Sequence, residues 1–399
     1  MLAKIYFFCL RILSILTDIF HKRQYAIFES YPDFTGSPQK IYQELERRGF
    51  QKKLTFIWAI DKSQQNVFLP YKAIPFWGNL NFWERLKRNL LLEKTTIIID
   101  SNRPVHKVNS KTCRIFTRHG GTLKKCSSYM HSLGKMDYML SLSDELKAID
   151  FNETQNYCLK DINQVLTLGF PANDSLFSNK NVNIFDFFET ARETNVHQEF
   201  SKIIGWLPTY RQHRNNTSSA NTTTFPFGVP LLKDLNELQA LNSFLSKKNI
   251  LLAIQMHPAE ANNFSKFELS NIALISQKKK DISNVSTLDI MKYFDALITD
   301  YSAAYHEYIL LNRPVALTID DFDEYASNTG FSFDYFEWIK GVYLKSFSDL
   351  IQFVDEIASN IDSKQDERNK AKSRIHKYTD DQSTQRVVDF IIKNCNINI

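Results

Sequence analysis

Short apolar runs alternate with amphipathic, helix-length segments along most of this chain, and four of the runs end in compact polar motifs. These are Arg118-His119-Gly120-Gly121-Thr122-Leu123-Lys124-Lys125, Pro208-Thr209-Tyr210-Arg211, Gln255-Met256-His257-Pro258 and Thr299-Asp300-Tyr301-Ser302. Such alternation predicts parallel sheets covered by helices on both faces. In open α/β sheets ligands bind beyond the carboxyl ends of the strands, so the motifs are expected to line a ligand site. One lies in the first half of the chain and three in the second, which predicts a cleft between two domains.

A chain of 399 residues and 46.6 kDa exceeds one typical core and fits two α/β domains. With 43% hydrophobic and 23% charged residues, wholesale disorder is excluded. The net charge of +5 and pI near 8.7 favour anionic substrates or an anionic membrane surface. No basic-aromatic module is present, so nucleic acid is not an expected partner. Cys9, Cys113, Cys126, Cys158 and Cys395 are scattered without a metal-like spacing, which predicts reduced thiols and no metal centre.

Residues 1–24 are expected to form an amphipathic, membrane-associating helix. Lys4, Arg11 and Asp18 interrupt an apolar stretch at intervals of seven, which puts all three on one helical stripe. The uncharged runs are too short to cross a bilayer, whereas a thin polar stripe followed by His21-Lys22-Arg23 suits the plane of an anionic interface. A peripheral position on the cytoplasmic face of the membrane is therefore expected.

Strands are predicted at 25–28, 54–60, 95–99, 114–117, 138–141 and 164–168 in the first half, and at 202–207, 249–254 and 296–299 in the second. A helix from Ser37 to Arg48 is expected, capped by Ser37 with Pro38 in its first turn. The segment at 80–93 reads as a covering helix that could add to the membrane face. These elements predict a first Rossmann-like domain over 25–185, a second over 200–370, and a terminal helix over 371–399 packed on the body. The polar stretch 215–224 reads as a surface loop.

Gly120 and Gly121 let backbone approach a ligand closely, and Lys124 and Lys125 are expected in the first turn of the next segment. An imidazole at His119 has a reference pKa of ~6.5, suited to taking a proton from an attacking hydroxyl; a turn-bonding histidine is the alternative. His257 at a strand end could donate to a phosphate or protonate a leaving group. Asp300 and Ser302 precede a helix whose N–H groups could hold phosphate, or Ser302 simply caps it. Arg211 offers a bidentate guanidinium. A P-loop and a complete Gly-x-Gly-x-x-Gly fingerprint are both absent from the sequence.

Taken in order, the motifs resemble those of the CDP-glycerol glycerophosphotransferase family, the teichoic-acid and capsule polyol-phosphate transferases. Glu29-Ser30, His119-Gly120 with Leu123-Lys124, Gly169-Phe170-Pro171-Ala172-Asn173-Asp174, Pro208-Thr209-Tyr210-Arg211, Asp295 to Ser302, Arg313-Pro314 and Asp323-Glu324-Tyr325 carry the likeness. It implies a GT-B architecture, two Rossmann-like domains facing across a cleft, the first for the acceptor and the second for the nucleotide donor. It also implies attack by an acceptor hydroxyl on a CDP-linked polyol, most simply CDP-glycerol, with release of CMP. His119 would be the base and His257 would stabilise the leaving diphosphate. Lys124, Arg211, Asp300 and Ser302 would bind the donor, with Gly120, Thr122 and Asp323 as further candidates. No cofactor is called for, although a divalent cation on the diphosphate is compatible with the chemistry. The acceptor would be a lipid-linked or polymeric glycan of the cell wall or capsule.

The sequence departs from the family pattern where Gly121 and Thr122 stand for Thr and Pro, Gln255 for an arginine, and Ala303 for a second serine. These departures keep two alternatives open: a GT-B glycosyltransferase using a nucleotide sugar, and a non-catalytic membrane-bound partner of a polymerase.

Overall fold

The computed structural model describes residues 24–64, 71–125, 127–155, 157–179, 181–189, 200–209, 225–256, 267, 269–283 and 285–397. The expected amphipathic helix, the loop 215–224, His257 and Arg211 lie outside the described residues. The chain divides into two compact units. One holds the described residues up to His119, those of Cys126–Asp174 and those from Lys377 onward; the other holds Gly120–Lys125 and Ser175–His376.

The first unit is built on a parallel sheet of β1 (Gln24–Phe28), β2 (Leu54–Asp61), β3 (Ala73–Trp77), β4 (Thr95–Asp100), β5 (Cys113–Phe116), β6 (Tyr138–Leu140) and β7 (Val165–Leu166), ordered β3-β2-β1-β4-β5-β6-β7. The central strands are apolar on both faces, as burial between two helical layers requires: Ile27, Ile57 and Ile98 pack into one core, while Phe116, Met139 and Val165 pack into another. β3 is not among the predicted strands. Its Pro75 reads as a breaker, yet β3 is an edge strand, where a missing N–H is tolerated. Arg114 and Asp100 form a fully buried ion pair at 2.7 Å between β5 and β4.

The helix Gly36–Arg47 starts one residue before Ser37, and Thr35 is its N-cap residue. Ser37 is buried, and its hydroxyl instead accepts the N–H of Ala172 at 3.2 Å. The last helix, Ser383–Asn394, packs against Gly36–Arg47 within the first unit. Asp174 accepts the N–H groups of Ser383 (3.1 Å) and Thr384 (2.8 Å), satisfying two of the open donors of that helix start. Thus the Gly169–Asp174 turn anchors the terminal helix. Cys395, just beyond that helix, is joined by a disulfide to Cys113 of β5, against the expectation of reduced thiols. The fold brings the two together over a separation of 282 residues, a pairing that their spacing cannot reveal. Cys158 is a buried thiol.

The second unit carries β8 (Phe188–Glu189), β9 (Lys202–Trp206), β10 (Ile250–Ile254), β11 (Ile272–Ile275), β12 (Ala296–Thr299), β13 (Val315–Thr318) and β14 (Val342–Leu344), ordered β14-β13-β12-β9-β10-β11-β8. All pairs are parallel except β8 with β11. The five residues of β10 are all buried, and Leu252 and Ile254 pack with Leu238, Leu241 and Leu245 of the helix Leu235–Lys248. Among the described residues, no helix is long and apolar enough to cross a membrane.

Candidate active site

The strand order reverses between β1 and β4 in the first sheet and between β9 and β12 in the second. Loops leaving the carboxyl ends of such strand pairs diverge, and the gap is where α/β sheets place ligands. In both units an acidic side chain at that point ties the two loops together.

In the first unit this residue is Glu29, immediately after β1 and fully buried. Its carboxylate accepts the backbone N–H groups of Ser101 (3.1 Å), Asn102 (3.0 Å) and Arg103 (2.8 Å), in the turn that follows β4. Burial outweighs these bonds, together with the nearby Asp100 charge, and pushes the carboxyl up to about 7. The braced turn holds His119: the Nδ1 of the imidazole lies 3.1 Å from the carbonyl oxygen of Ser101. A carbonyl only accepts, so Nδ1 carries the proton when it bonds Ser101, whereas the Asn102 side-chain nitrogen, 3.4 Å from the same Nδ1, suits the other tautomer. Tyr129 secures the turn from the other side, its hydroxyl donating to the Asn102 carbonyl at 2.6 Å. Arg118, just before His119, has a left-handed backbone (φ 59°), and its guanidinium pairs with buried Asp150 at 2.6 Å. That buried pair fixes the direction in which the chain presents the exposed imidazole.

In the second unit the tying residue is Asp300, directly after β12 and fully buried. It accepts the Thr209 N–H (3.0 and 2.9 Å to its two oxygens) and the Thr209 hydroxyl (2.6 Å), so the loops after β9 and β12 are joined. The Asp300 carbonyl in turn accepts from the Tyr335 hydroxyl at 3.1 Å. Tyr301 points into an aromatic cluster, stacked on Tyr325 at 4.2 Å, and donates its hydroxyl to Asp321 at 2.9 Å. Burial raises that phenol well above its usual range. Asp323, the candidate from sequence, is exposed in the first turn of the helix Phe322–Asn328; Asp321 is the acid that contacts the motif. The helix after Ser302 is short, Ala304–Tyr308, and its N-cap residue is Ala303, not Ser302; the Ser302 Oγ accepts the Ala304 N–H at 3.3 Å.

The stretch Gly120–Lys125 belongs to the second unit. Lys124 is not in a helical turn as expected. It forms an antiparallel bridge with Phe331, while Lys125 N–H donates to Gly330 (3.2 Å) and Ser332 N–H to Leu123 (3.0 Å). This ladder satisfies the backbone groups that a helix would otherwise use. The Lys124 ammonium lies 5.5 Å from the Tyr325 ring centroid, and Thr122 is buried. Gly120 has φ 136°, and a Cβ there would come within 2.7 Å of the Ala303 methyl.

The Gln255 substitution has a counterpart that sequence reasoning missed. The Gln255 amide oxygen accepts from the buried Lys280 ammonium at 3.1 Å, and Lys280 also donates to Thr287 Oγ1 at 2.9 Å. Burial lowers this ammonium to about 8. A positive charge thus stands beside the position where the family pattern has an arginine. Among the described residues no group of three or more His, Cys, Asp or Glu side chains is arranged to hold a metal ion.

Comparison with known proteins identifies the family and the fold. Residues 12–393 match the family described as CDP-glycerol:poly(glycerophosphate) glycerophosphotransferase. The chain is 24% identical to a teichoic acid poly(glycerol phosphate) polymerase of Bacillus spizizenii, covering 89% of this chain and 88% of the relative. It is likewise 24% identical to a teichoic acid glycerol-phosphate primase of Bacillus subtilis, covering 90% and 89%. A solved structure of a variant of the wall teichoic acid polymerase TagF superposes with a TM-score of 0.68 at 21% identity, over 97% of this chain and 93% of that one, which shows a shared fold. The chain belongs to the CDP-glycerol:poly(glycerophosphate) glycerophosphotransferase family.

Proposed function

We propose that this chain transfers glycerol phosphate from CDP-glycerol to a hydroxyl of a polymeric or lipid-linked acceptor in cell-wall or capsule synthesis. The observation that carries the reading is the His119–Ser101 contact, which ties an exposed imidazole to the turn after β4. In the reaction, Nε2 takes the proton of the acceptor hydroxyl as its oxygen attacks the phosphorus bearing glycerol. The bond from that phosphorus to the bridging oxygen breaks, and CMP leaves with the electron pair. Lys124, Arg211, Asp300 and Ser302 are assigned to the donor, and His257 to the departing diphosphate oxygen, as the family pattern implies.

A position at the cytoplasmic membrane surface is part of the proposal. Residues 1–24 supply one expected contact. The helix Phe82–Glu93 offers a second, since Phe82 and Trp83 are 65% and 72% exposed beside Arg85, Lys87 and Arg88. Purified protein given CDP-glycerol and an oligomeric or lipid-linked acceptor is expected to release CMP, and His119→Ala is expected to abolish release without unfolding the protein. Turnover of nucleotide sugars in place of CDP-glycerol, or full activity of the His119 variant, overturns the reading. Deleting residues 1–22 is expected to move the protein from membranes to the soluble fraction.

A further inference from the structure

Residues at the ends of three other strands of the first sheet converge on Arg103, which follows β4. Its backbone is fixed by the Glu29 bond at 2.8 Å, and its guanidinium lies 5.2 Å from the Tyr31 ring centroid and 5.7 Å from that of Trp77. Tyr31 follows β1, Trp77 ends β3, Asp61 ends β2 and Arg103 follows β4. Tyr31 is 60% exposed. The Asp61 carboxylate stands 3.6 Å from Arg103, too far for a hydrogen bond, and is held by the N–H (3.0 Å) and hydroxyl (2.8 Å) of Ser63. Asp33 also faces Arg103, its carboxyl pushed up to about 6 by burial.

The cluster combines a forked donor, two carboxylate acceptors and two aromatic faces. An anion would have to sit beside Asp61 and Asp33, whereas a neutral ligand rich in hydroxyls uses donors and acceptors alike. Flat aromatic walls with a few fixed polar groups are how proteins hold a small ring in one orientation. We propose that Tyr31, Asp33, Asp61, Trp77 and Arg103 form a subsite for a sugar ring, the glycan end of the acceptor. This rests on the transferase reading above. The same turn supplies Ser101 to His119 and Arg103 to the subsite, two residues apart and therefore within about 7 Å along the backbone. A sugar bound here is held close to the base.

The test uses full-length protein and two probes, N,N′-diacetylchitobiose, which carries no phosphate, and a trimer of glycerol phosphate, which carries no sugar. Saturation-transfer NMR is expected to show chitobiose ring protons in contact with the wild-type protein, with binding at least tenfold weaker in Arg103→Gln and in Tyr31→Ala. Binding of CDP-glycerol is expected to be unchanged in both variants, which separates a lost subsite from a lost fold. Unaltered chitobiose binding in the variants, absence of chitobiose binding by the wild type, or equal weakening of the sugar-free trimer overturns the proposal. CMP release measured in parallel judges the transferase reading independently of these outcomes.

Discussion

Gly120 and Ala303 meet so closely that a Cβ on the glycine would lie 2.7 Å from the alanine methyl. Ala303 is where the family pattern has a second serine, and Gly120 opens the segment that ladders against residues 330–332. Gly120→Ala is expected to destabilise the protein by roughly 1–3 kcal/mol from backbone strain at φ 136°, with the methyl clash added. In an Ala303→Gly background the clash disappears while the strain persists. The cost of Gly120→Ala should then fall without vanishing, and urea midpoints of the four proteins measure this directly. An equal cost in both backgrounds would show that the contact carries no energy.

Glu29 sets stability and turnover against each other. Its carboxyl titrates at about 7 in the folded chain and near 4.5 when exposed, so the folded state binds more protons between those values. The stabilisation from this group is complete below about 4.5 and is lost as pH rises through about 7. The amide introduced by Glu29→Gln is neutral at every pH, so the stability of that variant relative to wild type should improve by up to roughly 3 kcal/mol as pH rises across that window. The same variant has one fewer acceptor oxygen for the turn 101–103, which holds His119. Its kcat is therefore expected to fall while the donor KM stays near wild type, and Glu29→Ala should lose more. Calorimetric melts from pH 4 to 8 and initial rates of CMP release check both halves.

Asp300 should govern donor binding through Thr209. Asp300→Asn removes the charge and one acceptor from a set of bonds at 2.6–3.0 Å, which is worth roughly 1.5–3 kcal/mol. Thr209→Val removes only the hydroxyl bond and leaves the N–H bond, so its effect should be nearer to about 1 kcal/mol. Titration of CDP-glycerol into each variant is expected to rank wild type, Thr209→Val and Asp300→Asn in that order of affinity. The reverse order would show that the loops are held by something else.

The strands at the centre of each sheet were legible because their residues are apolar on both faces, as with 54–60 and 250–254. β3 was hidden by Pro75, and β8, β11, β13 and β14 were not among the predicted strands. His119, Asp300 and Ser302 were legible as motif residues. Their partners were not: Ser101 acts through a backbone carbonyl, which any residue could supply, and Glu29 meets the turn 101–103 only because β1 and β4 are neighbours in the sheet. Arg118 reads as a surface cation in sequence, since nothing local announces Asp150 as its buried partner. Lys280 sits in the run Lys278-Lys279-Lys280, which looks like a solvated face, yet only the fold puts its ammonium next to Gln255.

That buried ammonium yields the last prediction. Lys280 titrates at about 8 in the folded chain against a usual 10.5, because burial disfavours its charge. Between those values the unfolded chain binds more protons, so the burial cost is complete below about 8 and is relieved as pH rises toward 10.5. The difference corresponds to roughly 3 kcal/mol. Lys280→Met keeps an unbranched apolar stem and removes the charge, and its gain in stability over wild type should be largest below pH 8 and shrink above it. If the ammonium also serves the donor, the stabilised variant should bind CDP-glycerol more weakly at pH 7, and the affinity of wild type should decline as pH passes 8. Urea melts and donor titrations at pH 7, 8.5 and 10 separate the two effects. A variant that is stabilised and binds donor as wild type does would confine Lys280 to a structural bond with Gln255 and Thr287.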